Sequence, residues 1–405
     1  AQAILRVRPA SKHGREAGDL ESNQAITSCG PSSVAVRPAT AGAPAAAPEA
    51  AGRPEAAGGK HAFEVDAQLW GSADQEAVWR ELQGEQLVEA LSRGESVTLL
   101  AVGPTGGGKG HTLTGTPDSP GAALRAVHAL LERHPQRAGR EPPLRVEVSA
   151  LELLNDAAFD LLAPQTDRRV PLSLVCGEGH PPFWYARDGD GDGDGVGDDC
   201  WYAVQSIAQV EALRALADWR RRTRPSALHA RSARGHTCLC VRLTKTASAS
   251  AAASATGAWQ GHLCCAQLAG LNRAEGVGSQ GLSPTALREV LGAGASVSAL
   301  GVAVRQLAKQ QQPAPPGQSY RQTLSSDDAT GGASSRQTMA GAPPAATTAT
   351  TAATATTAGG RDGGGALLQL LRDTLGGGAR LRVLAALSPS SALCAEAVAA
   401  LRLAT

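Results

Sequence analysis

The residues of this 405-residue chain best suited to chemistry are the run Gly103-Pro104-Thr105-Gly106-Gly107-Gly108-Lys109-Gly110. Glycines at this spacing let backbone N–H groups turn toward one point, and the adjacent lysine supplies a positive charge. That combination suits a phosphate. In the pattern G-x-x-x-x-G-K-[ST] the last position offers a hydroxyl to Mg²⁺, whereas Gly110 stands there in this chain. The expected chemistry is phosphate binding with the metal contact weakened or absent. The flanks agree: residues 97–102 read as a buried strand entering the loop, and Lys109 opens a helix whose first N–H groups favour anions.

Other reactive side chains are less well arranged. Asp188, Asp190, Asp192, Asp194 and Asp199 with Gly193 imitate a calcium loop. Position 12 is Asp rather than Glu and no helix pair flanks it, so residues 188–199 read as a solvated acidic loop. His236 and His262 lack metal-ligand spacing and are expected to pack or to bond loops. The eight cysteines show no paired C-x-x-C spacing, so buried, reduced thiols are expected, with Cys238, Cys240, Cys264 and Cys265 in apolar runs. No metal site is expected. Arg220, Arg221, Arg222 and Arg224 read as an exposed helix end.

Composition sets the bounds. A formal charge of +1 argues against bulk attraction to nucleic acid or an anionic membrane. Hydrophobic content of 42% supports a sizeable core, but aromatics are only 3%, and alanine, glycine and proline gather in biased runs. Residues 10–60 therefore read as a low-complexity insertion or flexible loop and 310–365 as a disordered insertion within a single domain, 1–405. No signal-peptide pattern and no apolar run long enough to cross a bilayer is read in the sequence. The chain lacks an initiator Met, as expected of a piece of a longer protein, so missing targeting signals say little about the parent.

The elements that must position the loop follow from periodicity. Strands are expected at 3–7, 63–66, 97–102, 144–153, 237–244, 262–268 and 381–387, with further strand-like pieces within 170–202. Helices are expected at 75–92, 122–133, 207–221, 282–307, 367–375 and 392–403, with a short helix or turn at 156–162. Strands and helices alternate, which predicts an α/β fold.

Several segments then recur in a familiar order: Arg6-Val7-Arg8-Pro9; residues 63–66 with Gln75; 101–115; 121–127; 149–162, which keeps Glu152, Asn155, Asp160, Leu161 and Leu162; 232–236; 267–273; 370–377; and Ser388-Pro389-Ser390 with Glu396. Together they resemble the kinesin motor domain over nearly its full length. The resemblance implies a P-loop NTPase-type fold, a central mostly parallel β-sheet flanked by helices on both faces, and ATP or ADP as cofactor. It places nucleotide contacts at Arg6, Arg8, Pro9, Gly103, Pro104, Thr105, Gly106, Gly107, Gly108, Lys109, Gly110, His111 and Gly270, and catalytic roles at Ser232 and Arg234.

Departures from the family pattern cluster at the metal and the γ-phosphate. Beside Gly110, the serines of S-S-R-S-H become Ala233 and Gly235, the preceding asparagine becomes His229, and D-L-A-G-S-E-R becomes a run with Gln267, Leu271 and Asn272. Arg234 loses the carboxylate the family pairs with it. Impaired or absent hydrolysis is expected, since removing one such polar group typically lowers the rate by ~10²-fold or more. The resemblance also implies microtubules as partner and a cytoplasmic, cytoskeletal location. Weaker binding than usual is expected, because Ala295 replaces a common lysine and residues 363–368 replace S-K-L-T, leaving Arg288, Arg305 and Lys309. An active motor and a non-catalytic scaffold held by cytoskeletal partners are the alternatives.

Overall fold

The computed structural model describes residues 1–9, 25–37, 61–71, 73–135, 144–155, 157–163, 171–175, 183–186, 200–221, 223–224, 232–233, 235–245, 259–270, 284–310, 365–390 and 393–405. The acidic loop 188–199, most of both expected insertions, His229, Arg234 and residues 271–273 lie outside that set.

The chain opens with β1 (Gln2–Val7), β2 (Ile26–Ser28), β3 (Ser33–Val36), β4 (His61–Glu64) and β5 (Ala67–Trp70). Next come α1 (Gln75–Glu81), α2 (Gly84–Ser92), β6 (Ser96–Val102), α3 (Lys109–Leu113), the small hairpin β7 (Gly115–Thr116) and β8 (Ser119–Pro120), and α4 (Ala122–Arg133). The middle holds β9 (Leu144–Leu154), β10 (Ala157–Asp160), β11 (Pro171–Val175), β12 (Phe183–Ala186), β13 (Tyr202–Ala203), α5 (Ile207–Arg220), β14 (Thr223–Arg224), β15 (Ser232–Ala233), β16 (His236–Lys245) and β17 (Trp259–Gln267). The last elements are α6 (Pro284–Gln310), α7 (Gly365–Leu370), α8 (Arg372–Leu375), β18 (Ala379–Leu387) and α9 (Cys394–Ala404).

The main sheet runs β12-β11-β10-β9-β16-β17-β6-β18-β1-β5, with β13 also on β9. Its run from β17 through β6, β18 and β1 to β5 is parallel, and the remaining pairings are antiparallel. β6 (Ser-Val-Thr-Leu-Leu-Ala-Val) is apolar on both faces because both are covered. Val97, Leu99 and Ala101 pack with α1, α2 and α4 on one side. Leu100 and Val102 pack with α7 and α9 on the other. Helices therefore flank the sheet on both faces, as the α/β reading requires.

Four elements differ from the sequence reading. The helix expected over 75–92 is two helices, broken at Gln83, which adopts a left-handed φ of +56°. A Cβ on the following Gly84 would lie 2.1 Å from the Trp79 ring, so the indole sits directly on that glycine. In place of the short helix or turn expected at 156–162, residues 157–160 form the strand β10, paired antiparallel to the end of β9 after a left-handed Asn155 (φ +50°). Within the expected insertion 10–60, β2 and β3 form a small antiparallel sheet with β4, whose Ile26, Val34 and Val36 join the core. The β2–β3 hairpin is local, but β4, which completes the sheet, lies beyond the low-complexity stretch, where local composition gives no sign of it.

The fourth difference concerns membrane length. Residues Leu287–Leu307 of α6 are long and apolar enough to cross a bilayer, with mean hydropathy 1.4, correcting the reading that no such run exists. Interspersed Gly, Ala and Ser hide the run from a search for continuous large aliphatics. α6 packs on α7, α8 and β9, buries Glu289, Ser296 and Leu300, and leaves Leu287, Leu291 and Val302 exposed.

Candidate functional site

β6 lies between β17 and β18 and delivers the chain to the glycine loop at its C-terminal end. Gly103 turns with φ +144°, and a Cβ there would lie 2.1 Å from Ala386 O; one on Gly107 would lie 2.3 Å from the same oxygen. Only glycine lets the loop rest on the end of β18. Gly106 and Gly108 complete the turn at φ +76° and +100°, and the space beside Gly108 is open. Backbone N–H groups in such a concavity, unobstructed by side chains, fit the phosphates of a nucleotide.

Lys109 is buried, and its Nζ donates to Gly103 O (2.9 Å) and Pro104 O (2.8 Å). Burial pushes its pKa down to about 7, and the charge of Arg221 adds to the shift. Arg221 ends α5, its N–H bonded to Ala217 O (2.9 Å). Beside it, Arg220 Nη1 donates to the carbonyls of Leu161 and Ala163. The expected solvated basic helix end is thus corrected for these two residues. A run of like charges in sequence does not show which of them turn inward, and Arg221 was missed for that reason.

The two N-terminal arginines support the loop differently. Arg6 is buried, with Nη1 donating to Gln75 Oε1 (3.1 Å) and Thr112 Oγ1 (3.0 Å) and Nη2 to Ala73 O (2.9 Å). Its guanidinium ties β1 to α1 and α3. Arg8 Nε donates to Gly106 O (2.7 Å) and Nη1 to Pro9 O (2.9 Å), so Arg8 grips the loop directly while Pro9 is exposed. His111 is exposed on α3, with its carbonyl accepting from Gln75 Nε2. Across the loop, a Cβ on Gly270 would fall 2.0 Å from Thr105 Oγ1 and 2.8 Å from Thr105 N. The structure therefore gathers Arg8, Thr105, Lys109 and Gly270 around one turn.

Gly110 and Gln267 form a single unit of packing. A Cβ on Gly110 would lie 3.2 Å from Gln267 Oε1 and 3.9 Å from both its Cδ and Nε2. The carboxamide borders the space a hydroxyl-bearing side chain at position 110 would enter. A neutral amide beside a glycine is a poor donor set for Mg²⁺, which favours carboxylate and hydroxyl oxygens in near-octahedral array. Gly110 and Gln267 thus offer Mg²⁺ neither the hydroxyl nor the carboxylate of the family pattern, and as a pair they do not fit the ion.

Of the expected catalytic pair, Ser232 lies in β15 opposite Arg224, and Arg234 falls outside the described residues. Gly235 is tightly enclosed: a Cβ there would lie 2.5 Å from Leu153 O, so the serine of the family pattern does not fit this packing. His236 begins β16, and its Nδ1 accepts the Ala269 N–H (3.0 Å), the loop bond expected of it. Its Nε2 is buried without a hydrogen-bond partner and borders a cavity of about 10 Å³ lined by Leu153, Asn155, Ala293, Ser296, Ala366 and Leu367. Burial, and secondarily Lys109, push its pKa down to about 4. His262 packs edge-on to Trp201 at 5.9 Å, and Arg242 lies 4.7 Å over the same indole. The described cysteines are free thiols, all buried except Cys29.

Comparison with known proteins agrees with this geometry. The kinesin motor domain family matches residues 6–327. The human kinesin-like protein KIFC2 is 33% identical over 224 residues, covering 55% of this chain and 24% of the relative. Kinesin-like protein KIN-14C of Arabidopsis thaliana is 28% identical over 262 residues, 63% of this chain and 31% of the relative. The chain thus spans only about a quarter to a third of these relatives. A solved structure of KIF14 with ADP in complex with a microtubule aligns at TM-score 0.66 and 20% identity, covering all of this chain and 94% of that one, which establishes the fold. With the glycine loop at the end of a central parallel strand, helices on both faces and a family match across most of its length, this chain belongs to the kinesin motor domain family.

Proposed function

We propose that this domain binds ATP or ADP at Gly103–Gly110, associates with microtubules on the cytoskeleton in the cytoplasm, and hydrolyses ATP slowly or not at all. The observation that carries the reading is the Gln267 carboxamide bordering the space a side chain at Gly110 would fill, so that a neutral amide faces a glycine at the position of a metal-binding hydroxyl. Phosphoryl transfer depends on a metal bridging the β- and γ-phosphates and on loops that sense the γ-phosphate. Lys109, Arg8, Thr105 and Gly270 still frame a phosphate cradle, so binding is less affected than chemistry.

For the microtubule, α6 is the candidate contact. Its exposed residues include Leu287, Leu291 and Val302 with Arg288 and Arg305. Two described cations and a largely apolar face offer little attraction to an acidic surface, which supports weak association. The test is co-sedimentation with microtubules, with phosphate release measured in the same tubes. Pelleting without stimulated phosphate release is expected. Microtubule-stimulated turnover comparable to ordinary motors would refute impaired hydrolysis, and neither pelleting nor turnover would leave a scaffold held by other partners.

A further inference from the structure

We propose that this site takes its nucleotide as the metal-free polyphosphate anion, with the Gln267 carboxamide lying where the family's metal shell would be. The inference rests on the reading that Gly103–Gly110 binds nucleotide, and goes further by naming the ionic form of the ligand.

The Gln267 side chain borders the space left open at Gly110. Gly110 and Gln267 are 157 positions apart in sequence, yet a Cβ on the first would be 3.2 Å from the amide oxygen of the second. Gln267 is the last residue of β17, held on both sides by pairing with Thr237 of β16 and Ala101 of β6. The following Leu268 N–H bonds Ala101 O (3.0 Å). The backbone at 267 is therefore fixed, and its side chain projects beside the start of α3.

Electrostatics then decides what this side chain can do. A carboxylate at 267 would repel a nearby polyphosphate unless a cation lay between them. A carboxamide carries no charge, and its N–H groups can donate to phosphate oxygens directly. The hydroxyl of G-x-x-x-x-G-K-[ST] and the carboxylate of D-L-A-G-S-E-R are thus replaced together, one by no side chain and the other by a neutral amide that can donate as well as accept. Positive charge at the loop comes from the protein, through Lys109 beneath it and Arg221, which is near enough for its charge to act on Lys109. Arg8 also reaches the loop, bonded to Gly106 O. A glycine at 110 also keeps the amide from being pushed aside, which makes the two substitutions mutually dependent.

The experiment is a titration of the whole chain with a fluorescent N-methylanthraniloyl ADP, once in EDTA and once in excess MgCl₂. Dissociation constants agreeing within about threefold are expected. A loss of about tenfold or more in EDTA overturns the inference while leaving nucleotide binding intact. No binding in either buffer removes the nucleotide reading itself, and this inference with it. The variant arm uses Gly110→Thr and Gln267→Asp, alone and combined. The double variant should weaken by about tenfold or more in EDTA relative to MgCl₂, whereas Gly110→Thr alone, crowded against the Gln267 amide, should gain no such dependence. Metal dependence restored fully by Gly110→Thr alone would show that Gln267 does not occupy the metal's place. The wild-type comparison requires no variant to fold.

Discussion

His236 offers a direct measure of how tightly the junction between β16 and the loop after β17 is sealed. The ring is 2% exposed, accepts the Ala269 N–H at Nδ1, and has no partner at Nε2. Burial penalises the charged ring, and protonation would also place a second cation near Lys109. The folded-state pKa is accordingly about 4, against an ordinary value of 6.5. Because the folded value is the lower one, the unfolded chain takes up the proton first. The stabilisation is fully present above pH 6.5 and is lost as pH falls toward 4. Between 6.5 and 5 that is about 1.5 pH units at ~1.4 kcal/mol each, or about 2 kcal/mol, growing to about 3 kcal/mol by pH 4. His236→Asn retains an acceptor near the Nδ1 position and removes the titration. Urea unfolding of both proteins at pH 7 and pH 5 isolates the term, since other carboxylates and histidines cancel between them. The native protein should lose about 2 kcal/mol more than the variant across that interval. A difference below about 0.5 kcal/mol would mean the ring is hydrated or already charged, and the account of a sealed junction would be wrong.

Two other predictions probe the loop. Lys109 has its pKa lowered to about 7 by burial, and a bound phosphate favours its ammonium form. Affinity for ADP should be highest below pH 7 and fall by up to about tenfold per unit above it, until the pKa of the bound state is reached; calorimetric titration at pH 7.5 and 9 reads this, and a flat profile would show that the lysine does not meet the ligand. Arg6→Lys should lower stability by about 2–4 kcal/mol, because an ammonium carries its donors on one nitrogen and cannot reproduce the planar spread by which Nη1 reaches Gln75 and Thr112 while Nη2 reaches Ala73 O. Nucleotide affinity of the folded variant should change by less than about threefold, and a loss of tenfold would return the guanidinium to the ligand.

Much of the architecture was readable in one dimension because it rests on local periodicity. α4, β6, β16, β18 and α9 fall within a residue or two of their expected bounds, each having an apolar pattern matched to its own repeat. Readings failed where packing rather than periodicity decides. The break between α1 and α2 comes where the Trp79 indole covers Gly84, and the β2–β3 hairpin is completed by β4 pairing on β3. In the candidate site, the glycines and Lys109 announced phosphate chemistry by type and spacing. The inward turn of Arg220 and Arg221 carried no such signal, since a helix end full of arginines looks the same whether solvated or buried.

By itself the sequence determined that a phosphate loop sits between a buried strand and a helix, and that the residues around it depart from the family pattern at several separate positions. Tertiary structure alone decided that two of those departures face the same space. Gly110 follows β6 and Gln267 ends β17, and the parallel pairing of these strands carries their C-terminal ends to the same edge of the sheet. Adjacency across parallel strands depends on sheet order and register, which are settled by packing over the whole chain. For the same reason Arg6, one of the expected nucleotide contacts, became a framework residue. Its hydrogen-bond partners, Ala73, Gln75 and Thr112, come within reach only when β1, α1 and α3 assemble.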